Sequence, residues 1–282
     1  MNGRLLSLLA ALSTICFLST AAPAVSGTFF DNGTPDGAIG VGSRPESVGR
    51  IEIEAADDFN LATAMSITSA TFTGLITGGS TIGALNVEIY RVFPLDSNTS
   101  RIPNVPTRVN SPSDVAFDSR STPLGTLSFS TQVVANSFAV ANSILNGINK
   151  SPNQTTGGEG PVTGQEVKFT VNFATPFLLP VGHYFFVPQV QVSAPGEFFW
   201  LSSGASLPPD LQGWIRNANL DPDWLRDGTD IVGGTARFNF AFSLDGEVIT
   251  PLPAALPLFA SGLGALGLLG WRRKRKAAAL TA

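Results

Sequence analysis

The chain has 282 residues, of which 43% are hydrophobic and only 13% are charged, so it can bury a large core. Its 29 glycines and 20 prolines favour many turns and disfavour long ordinary helices. Residues 25–249 carry 11 basic and 21 acidic side chains, a net charge of −10, which argues against the basic surface that nucleic-acid binding requires.

The N-terminal segment has the three parts of a secretory signal peptide. A single cation, Arg4, precedes an apolar run, and small residues follow up to Ala24. This order predicts a signal peptide over residues 1–24, handled by the Sec export machinery, with cleavage after Ser26 as the alternative. The only cysteine, Cys16, lies in this segment, so we expect no disulfide and no thiol-based site in the exported body.

The body, residues 25–249, is predicted to be one all-β ectodomain, an antiparallel β-sandwich or jelly-roll-like fold. Apolar and polar residues alternate with a period of two in several segments, which is typical of strands with one buried face. Gly, Pro, Asn and Asp turns separate these segments, as in antiparallel sheets. The clearest segments begin at residues 49, 85, 166 and 237: GRIEIEAADDF, LNVEIYRVF, EVKFTVNF and RFNFAFSL.

Three stretches of the body give weaker patterns. The segment QVVANSFAVANSIL, residues 132–145, fits either a helix or an unusual strand. The composition of NKSPNQTTGGEGPVTGQ, residues 149–165, predicts a loop, and a long decorated loop is expected around residues 95–123. The glycine-rich GAIGVG at residues 37–42 is not part of a strand–turn–helix unit, so it does not predict a phosphate loop.

Residues 250–282 differ in composition from the body. Residues 254–271 are 18 consecutive residues without a charge, and at ~1.5 Å per residue a helix of this length reaches ~27 Å, close to the thickness of a bilayer core. Five cations follow directly: Arg272, Arg273, Lys274, Arg275 and Lys276. The pattern predicts a transmembrane helix with a cytoplasmic basic end, which leaves the body on the other side of the membrane.

A proline motif, Pro251, Leu252, Pro253 and Ala254, precedes the apolar helix and the basic cluster. These three parts in this order resemble a PEP-CTERM sorting signal of the VPLPA-CTERM variant, which has Val at the position of Thr250. The resemblance implies transient anchoring in the inner membrane of a Gram-negative bacterium. An exosortase then cleaves near the motif, and the body reaches the cell surface or the medium; a permanent single-span anchor is the alternative.

Two acidic groups are candidates for a metal site. Asp221, Asp223, Asp227 and Asp230 lie within ten residues, and calcium prefers several carboxylate and carbonyl oxygens from a turning chain. The spacing is not that of an EF-hand loop, and aspartates also form turns without a metal, so turn formation is the alternative. The adjacent pair Asp57 and Asp58 forms a second, smaller candidate.

Aromatic and histidine side chains suggest two further sites. Trp200, Trp214 and Trp224 lie within 25 residues and could stack on sugar rings, with packing in the core as the alternative. His183, the only histidine, could act with an acidic residue in a hydrolase, although no G-x-S-x-G motif is present and a structural role at a strand entrance is the alternative.

These observations predict an exported, non-enzymatic protein of the cell surface or extracellular matrix. The resemblance of the tail implies an association with exopolysaccharide and biofilm, so we expect a structural or adhesive role. The alternatives are a carbohydrate-binding module that uses the tryptophans and, third, a secreted hydrolase. Beyond calcium as a candidate ligand, we expect no cofactor.

Overall fold

A computed structural model describes most of the body and the helical part of the tail. The described ranges are residues 27–100, 109–148, 155–205, 212–249 and 255–279. Two predicted features lie outside them: the signal peptide of residues 1–24 and the proline motif Pro251-Leu252-Pro253-Ala254.

The body is all-β, as predicted, and its strands form two sheets. In the described ranges, the strands in chain order are β1 (Gly27–Asp31), β2 (Pro35–Gly42), β3 (Ile53–Leu61), β4 (Met65–Ile76), β5 (Ile82–Arg91), β6 (Asp118–Ser121), β7 (Leu127–Val140), β8 (Asn142–Ile144), β9 (Val162–Leu179), β10 (Gly182–Val192), β11 (Phe198–Ser203), β12 (Trp214–Asn217), β13 (Leu225–Arg226), β14 (Asn239–Phe240) and β15 (Phe242–Val248). A single turn of π-helix, Asp227–Val232, follows β13.

The larger sheet has nine strands arranged around β4. On one side, β4 pairs along its length with β9, which in turn pairs with β7. On the other side, the first part of β4 pairs with β15 and its end pairs with β11. Strand β1 follows β15, while β2 and then β8 follow β11, and β14 also pairs with β11. All these pairs are antiparallel except β2 with β8.

The smaller sheet has six strands in the order β13-β12-β3-β10-β5-β6, and every pair in it is antiparallel. The two sheets pack face to face through aromatic rings. The ring of Phe186 on β10 lies 5.1 Å from that of Phe242 on β15, 6.0 Å from Trp200 on β11 and 6.3 Å from Phe72 on β4. One apolar core therefore joins both sheets.

The alternating segments form strands because one set of side chains enters this core. Along β9, Val167, Phe169, Val171 and Phe173 are all buried, as the sequence pattern predicts. In the RFNFAFSL segment, Phe240 and Phe242 are also buried, but Ala241 separates β14 from β15. The backbone N–H of Ala241 donates to the carbonyl oxygen of Leu201 on β11. Its carbonyl oxygen accepts from the backbone N–H of Thr73 on β4.

Two other sequence interpretations change. Residues 132–145 are not helical: they form the second half of β7, strand β8 and a turn. The segment predicted as a loop from residue 149 is irregular over its described residues 155–161, but β9 begins at Val162, earlier than expected. The predicted long loop around residues 95–123 contains the short strand β6 in its described part.

The tail forms a helix, α1, from Ala255 to Ala279. Its described side chains, those of residues 259 and 261–272, are exposed, including Phe259, Leu266 and Trp271, each more than half accessible. No helix in the described part of the chain is long and apolar enough to cross a membrane, so the transmembrane span predicted at residues 254–271 is not confirmed.

Candidate functional site

The three tryptophans proposed for sugar stacking are all in the interior, so that prediction is wrong for these residues. Trp200 packs in the main core, and its indole nitrogen donates to the carbonyl oxygen of Ala241 at 3.2 Å. Trp214 and Trp224 belong to a second cluster on the other face of the smaller sheet, where Trp224 packs edge-on against Tyr90. Buried rings offer no platform to an external sugar.

The aspartates predicted as calcium ligands do not form a metal site. Asp221 pairs with Arg216 at 2.9 Å, and Asp230 pairs with Arg226 at 3.2 Å, so two of the four neutralise arginines. Asp223 and Asp227 are buried. Nowhere in the described ranges do three or more histidine, cysteine or acidic side chains have a geometry that could hold a metal ion.

Asp227 differs from Asp221 and Asp230 because no residue of the described ranges forms an ion pair with it. Its side chain is fully buried, and neither carboxylate oxygen has a hydrogen-bond partner in the described structure. Burial raises the pKa of Asp227 well above its usual range, and the charge of Asp230 raises it further. The backbone fixes this position, since Asp227 donates its own N–H to the carbonyl oxygen of Gly213.

The pair Asp57 and Asp58 is occupied by protein groups rather than by a metal. Asp57 faces the core between the sheets and accepts hydrogen bonds from Asn32 at 3.0 Å and from the backbone of Phe240 at 2.7 Å. With its amide nitrogen turned toward Asp57, Asn239 donates to the same carboxylate at 2.8 Å. Burial first, and the charge of Asp58 second, raise the pKa of Asp57 well above its usual range.

His183 contacts a carboxylate, but the described residues give it no nucleophile. Its Nε2 lies 2.8 Å from Oδ2 of Asp58, and its ring stacks on Phe185 at 5.3 Å. No serine or threonine hydroxyl bonds to His183 in the described structure, whereas nucleophilic catalysis needs one within hydrogen-bond reach. The contacts fit the structural role at a strand entrance.

A carboxyl cluster that the sequence did not predict covers the outer side of the smaller sheet. The hydroxyl of Tyr90 lies 2.6 Å from Glu54 and 2.8 Å from Glu88, and Arg216 bonds to both Glu54 and Tyr90. Burial, followed by the charge of Glu54, raises the pKa of Glu88 to about 7. The alternating pattern of β3 predicts that Glu54 faces solvent. It is buried instead, because Trp214 and Trp224 lie on the same outer face of the smaller sheet.

The larger sheet carries a groove on the face that points away from the core. It has a volume of about 440 Å³ and is lined by polar residues of several strands together with apolar residues that include Val134, Ala241 and Phe242. Thr71 and Thr73 of β4 and Glu166 and Lys168 of β9 point into it, because their neighbours Phe72, Val167 and Phe169 point into the core.

The ends of this groove are formed by other elements. Asp31, Gly33, Thr34 and Pro35 line one end, in the turn between β1 and β2, and Val134 of β7 lines the other. Gly33 has a φ of 80°, in the left-handed region that glycine adopts without steric cost, and its N–H donates to Asp31 at 2.7 Å. The turn that closes the groove is therefore held by its own hydrogen bond.

The polar groups of the groove are fixed by the protein itself. Thr71 bonds to Ser243 of β15 at 2.7 Å, which fixes both hydroxyls on the floor of the groove. Glu166 is 7% exposed, and burial raises the pKa of its carboxyl. The register places Lys168 opposite Thr73 and Glu166 opposite Leu75, so one cation and one carboxyl lie two residues apart on the same strand.

The sequence pattern identifies polar residues that line the groove but does not predict the groove itself. Period-two alternation predicts that Glu166 and Lys168 of EVKFTVNF lie on the solvent-facing side of a strand, but it does not predict the shape of that surface. The groove joins residues of strands that are far apart in sequence, and only their pairing brings these residues together.

Comparison of the chain with protein-family models, with curated proteins and with solved structures finds no match.

Proposed function

We propose that this protein is exported and acts without catalysis at the cell surface or in the extracellular matrix, where it binds polysaccharide through the groove of the larger sheet. The observation that carries the proposal is the groove itself. It presents hydroxyl, carboxyl and ammonium groups on neighbouring strands of one sheet and on the turn between β1 and β2.

The chemistry of the groove suits a chain of sugar hydroxyls. Such a ligand both donates and accepts hydrogen bonds along its length. Thr71, Thr73 and Ser243 do both, Glu166 accepts, and Lys168 donates. Hydrogen bonds that involve a charged group contribute ~1.5–3 kcal/mol each, so Glu166 and Lys168 are expected to dominate the affinity. This mode of binding uses polar contacts, whereas the carbohydrate-binding module considered in the sequence analysis would stack sugars on exposed tryptophans.

Export and surface sorting are supported by the sequence at both ends. The signal peptide of residues 1–24 implies the Sec machinery, and the resemblance of residues 250–282 to a PEP-CTERM signal implies an exosortase in a Gram-negative bacterium. Under this proposal the body is a β-sandwich or jelly-roll-like ectodomain, anchored transiently at the inner membrane through the tail helix and then released. Exopolysaccharide or biofilm matrix is the proposed environment.

The hydrolase alternative draws little support from the contacts of His183 and of the carboxyl cluster. His183 contacts Asp58 without a nucleophilic hydroxyl among its described partners. The carboxyl groups of Glu54 and Glu88 bond to Tyr90, and Glu54 also bonds to Arg216, so the cluster is held by contacts within the protein. The hydrolase alternative therefore has less support than the binding role.

A glycan array with the full chain tests the binding proposal. We expect binding to one class of polysaccharide, and a loss of about tenfold or more in affinity for Glu166→Ala and for Lys168→Ala, since each removes a charge-assisted hydrogen bond. Glu247→Ala and Arg237→Ala are matched controls outside the groove. Equal losses in the controls, or no binding to any glycan by the wild type, would contradict the proposal.

Mass spectrometry of the protein recovered from the producing cell tests the sorting proposal separately. We expect an N-terminus at residue 25 or 27 and a C-terminus near residues 250–255. Mature surface protein that still carries Arg272–Lys276 would rule out processing by an exosortase. The outcome of this experiment is independent of whether the groove binds a glycan.

A further inference from the structure

Four asparagines of the chain stand in the pattern Asn-x-Ser/Thr, the acceptor pattern for asparagine-linked glycans. They are Asn32, Asn98, Asn149 and Asn153, and in none of them is the middle residue proline. Asn149 and Asn153 lie outside the described ranges. Because so short a pattern often occurs by chance, the surroundings of Asn32 and Asn98 decide which of these two can react.

Asn32 is not available to a modifying enzyme. The residue is only 8% exposed, and its Nδ2, the atom that would carry a sugar, donates to Asp57 at 3.0 Å. Its backbone N–H donates to the carbonyl oxygen of Phe242, so the residue is held by both its side chain and its backbone next to the end of β1. Folding therefore closes this position.

Asn98, in contrast, is exposed in the loop that follows β5. Its Oδ1 accepts two hydrogen bonds from Ser100, one from the backbone N–H at 3.1 Å and one from the hydroxyl at 2.8 Å. Since the side-chain amide is planar, these bonds hold Oδ1 toward Ser100 and leave Nδ2 on the opposite side. No residue of the described ranges accepts a hydrogen bond from this Nδ2.

The backbone holds this arrangement in place. The N–H of Asn98 donates to the buried carboxylate of Asp114 at 2.7 Å, and the N–H of Asp114 donates to the hydroxyl of Ser97 at 3.1 Å. These two bonds tie the loop to the segment before β6. The acceptor is therefore presented on a fixed turn outside the sheets, where an enzyme can approach both Asn98 and Ser100.

The hydroxyl of Ser100 has a chemical role in this geometry. An amide nitrogen is a weak nucleophile, because its lone pair is delocalised onto the carbonyl oxygen. When Nδ2 of Asn98 loses a proton, the negative charge spreads onto Oδ1, and hydrogen bonds to a charged form favour that form. The two donors of Ser100 therefore lower the cost of the proton loss, and a serine or threonine side chain is needed to supply the second of them.

We propose that Asn98 is the attachment site of an asparagine-linked glycan. Its Nδ2 forms a bond to the anomeric carbon of an oligosaccharide carried on a lipid diphosphate. The bond between that carbon and the diphosphate oxygen breaks, the lipid diphosphate leaves with the electron pair, and a base of the transferase takes the proton from Nδ2. The inference rests on the export proposed above, because glycan transfer of this kind takes place on the exported side of the membrane.

The residue two positions before the acceptor distinguishes Asn98 from the other three asparagines. It is Asp96 here, whereas the others have Phe, Gly or Ser at this position. Asp96 is exposed and pairs with Arg91 at 3.4 Å, which places a carboxylate beside the turn. A transferase with a cationic side chain next to its acceptor site gains a charge-assisted contact there.

Mass spectrometry of tryptic peptides from the protein recovered from the producing cell tests the site. Cleavage after Arg91 and Arg101 gives the peptide of residues 92–101, in which Asn98 is the only asparagine. We expect a fraction of this peptide to carry an added mass equal to a whole number of sugar residues, which fragmentation assigns to Asn98. The peptide that contains Asn32 should carry none.

Variants produced in the same cell separate this modification from others. Asn98→Gln and Ser100→Ala should lose the added mass, whereas Ser100→Thr, which keeps the hydroxyl, should retain it. Asp96→Asn should lower the modified fraction several-fold, and an unchanged fraction would exclude Asp96 from recognition. Circular dichroism shows whether each variant is folded.

The same spectra distinguish failure of this inference from failure of the proposed export. An unmodified peptide 92–101 from protein that begins at residue 25 or 27 would overturn the glycan and leave export intact. Protein that keeps its signal peptide would contradict export itself, on which the glycan depends. An added mass that survives Asn98→Gln, or that fragmentation assigns to Ser97, Thr99 or Ser100, would also overturn the proposal.

Discussion

Replacement of Asp227 by asparagine is expected to stabilise the protein at neutral pH and to change how its stability depends on pH. In the folded state the carboxyl is fully buried without a hydrogen-bond partner among the described residues, and its pKa is raised well above the usual range. In the unfolded chain the same group titrates near ~3.9. The folded protein therefore binds a proton that the unfolded chain releases.

The sign and size of the effect follow from this difference. The favourable contribution of protonated Asp227 is fully present below pH ~4 and is lost as the pH rises toward the raised pKa. Each pH unit in this window lowers the free energy of unfolding by ~1.4 kcal/mol. The loss continues with rising pH until the pH passes the raised pKa of the folded state. Asparagine does not titrate, so the variant should lack this slope.

Urea unfolding of the full chain at pH 4, 5, 6, 7 and 8, followed by tryptophan fluorescence, measures the effect. An unsatisfied amide costs ~1–3 kcal/mol at every pH, so the informative quantity is the change of the wild-type-to-variant difference with pH. We expect this difference to move in favour of Asp227→Asn by ~1.4 kcal/mol per pH unit. Glu46→Gln, at an exposed carboxyl, is the control. A difference that is constant across the series would refute the reasoning.

Three other substitutions test the packing and the carboxyl cluster. Glu88→Gln should reduce the loss of stability between pH 5 and pH 8. The pKa of Glu88 is raised to about 7, so the stability from its protonation is fully present below pH ~4.5 and is lost as the pH rises through 7. Thermal midpoints at both pH values measure this, and an unchanged difference between them would contradict it. Gly74→Ala should lower the free energy of unfolding by ~1–3 kcal/mol or more, since a Cβ at this position overlaps the ring of Phe198. Chemical denaturation measures the loss, and Gly79→Ala is the control without a packing clash, because its Cβ would lie in open space although its φ is positive. Phe186→Ala should cost ~3–5 kcal/mol of unfolding free energy, because this ring joins β10 to three strands of the other sheet; a loss below ~1 kcal/mol would mean that the sheets do not depend on it.

The strands of the body could be predicted where a single face is buried. The period-two pattern of EVKFTVNF identifies β9 because Val167, Phe169, Val171 and Phe173 all enter the core. The pattern fails for Glu54 because both faces of β3 are covered there, one by the core and one by Trp214 and Trp224. Period-two alternation cannot show what lies above the polar face of a sheet.

The candidate sites were harder to predict because they depend on distant pairings. The spacing of the tryptophans suits sugar binding, but the fold buries all three. The spacing of the aspartates at residues 221–230 suits metal ligation, but Arg216 and Arg226 pair with two of them. The groove joins Asp31, Thr71 and Lys168, which are far apart in sequence and meet only through the order β1-β15-β4-β9. No local motif encodes such a meeting.

The first and last strands of the body lie side by side, and this has a mechanical consequence. Gly27 of β1 is opposite Gly246 of β15, and β15 continues toward the tail. If the tail is held while a bound polymer drags on the groove, the force enters through β4 and β9 and leaves through β15. Because β15 is paired at seven positions with β4 and at four with β1, a pull along its axis loads these pairs together in shear instead of opening them one after another.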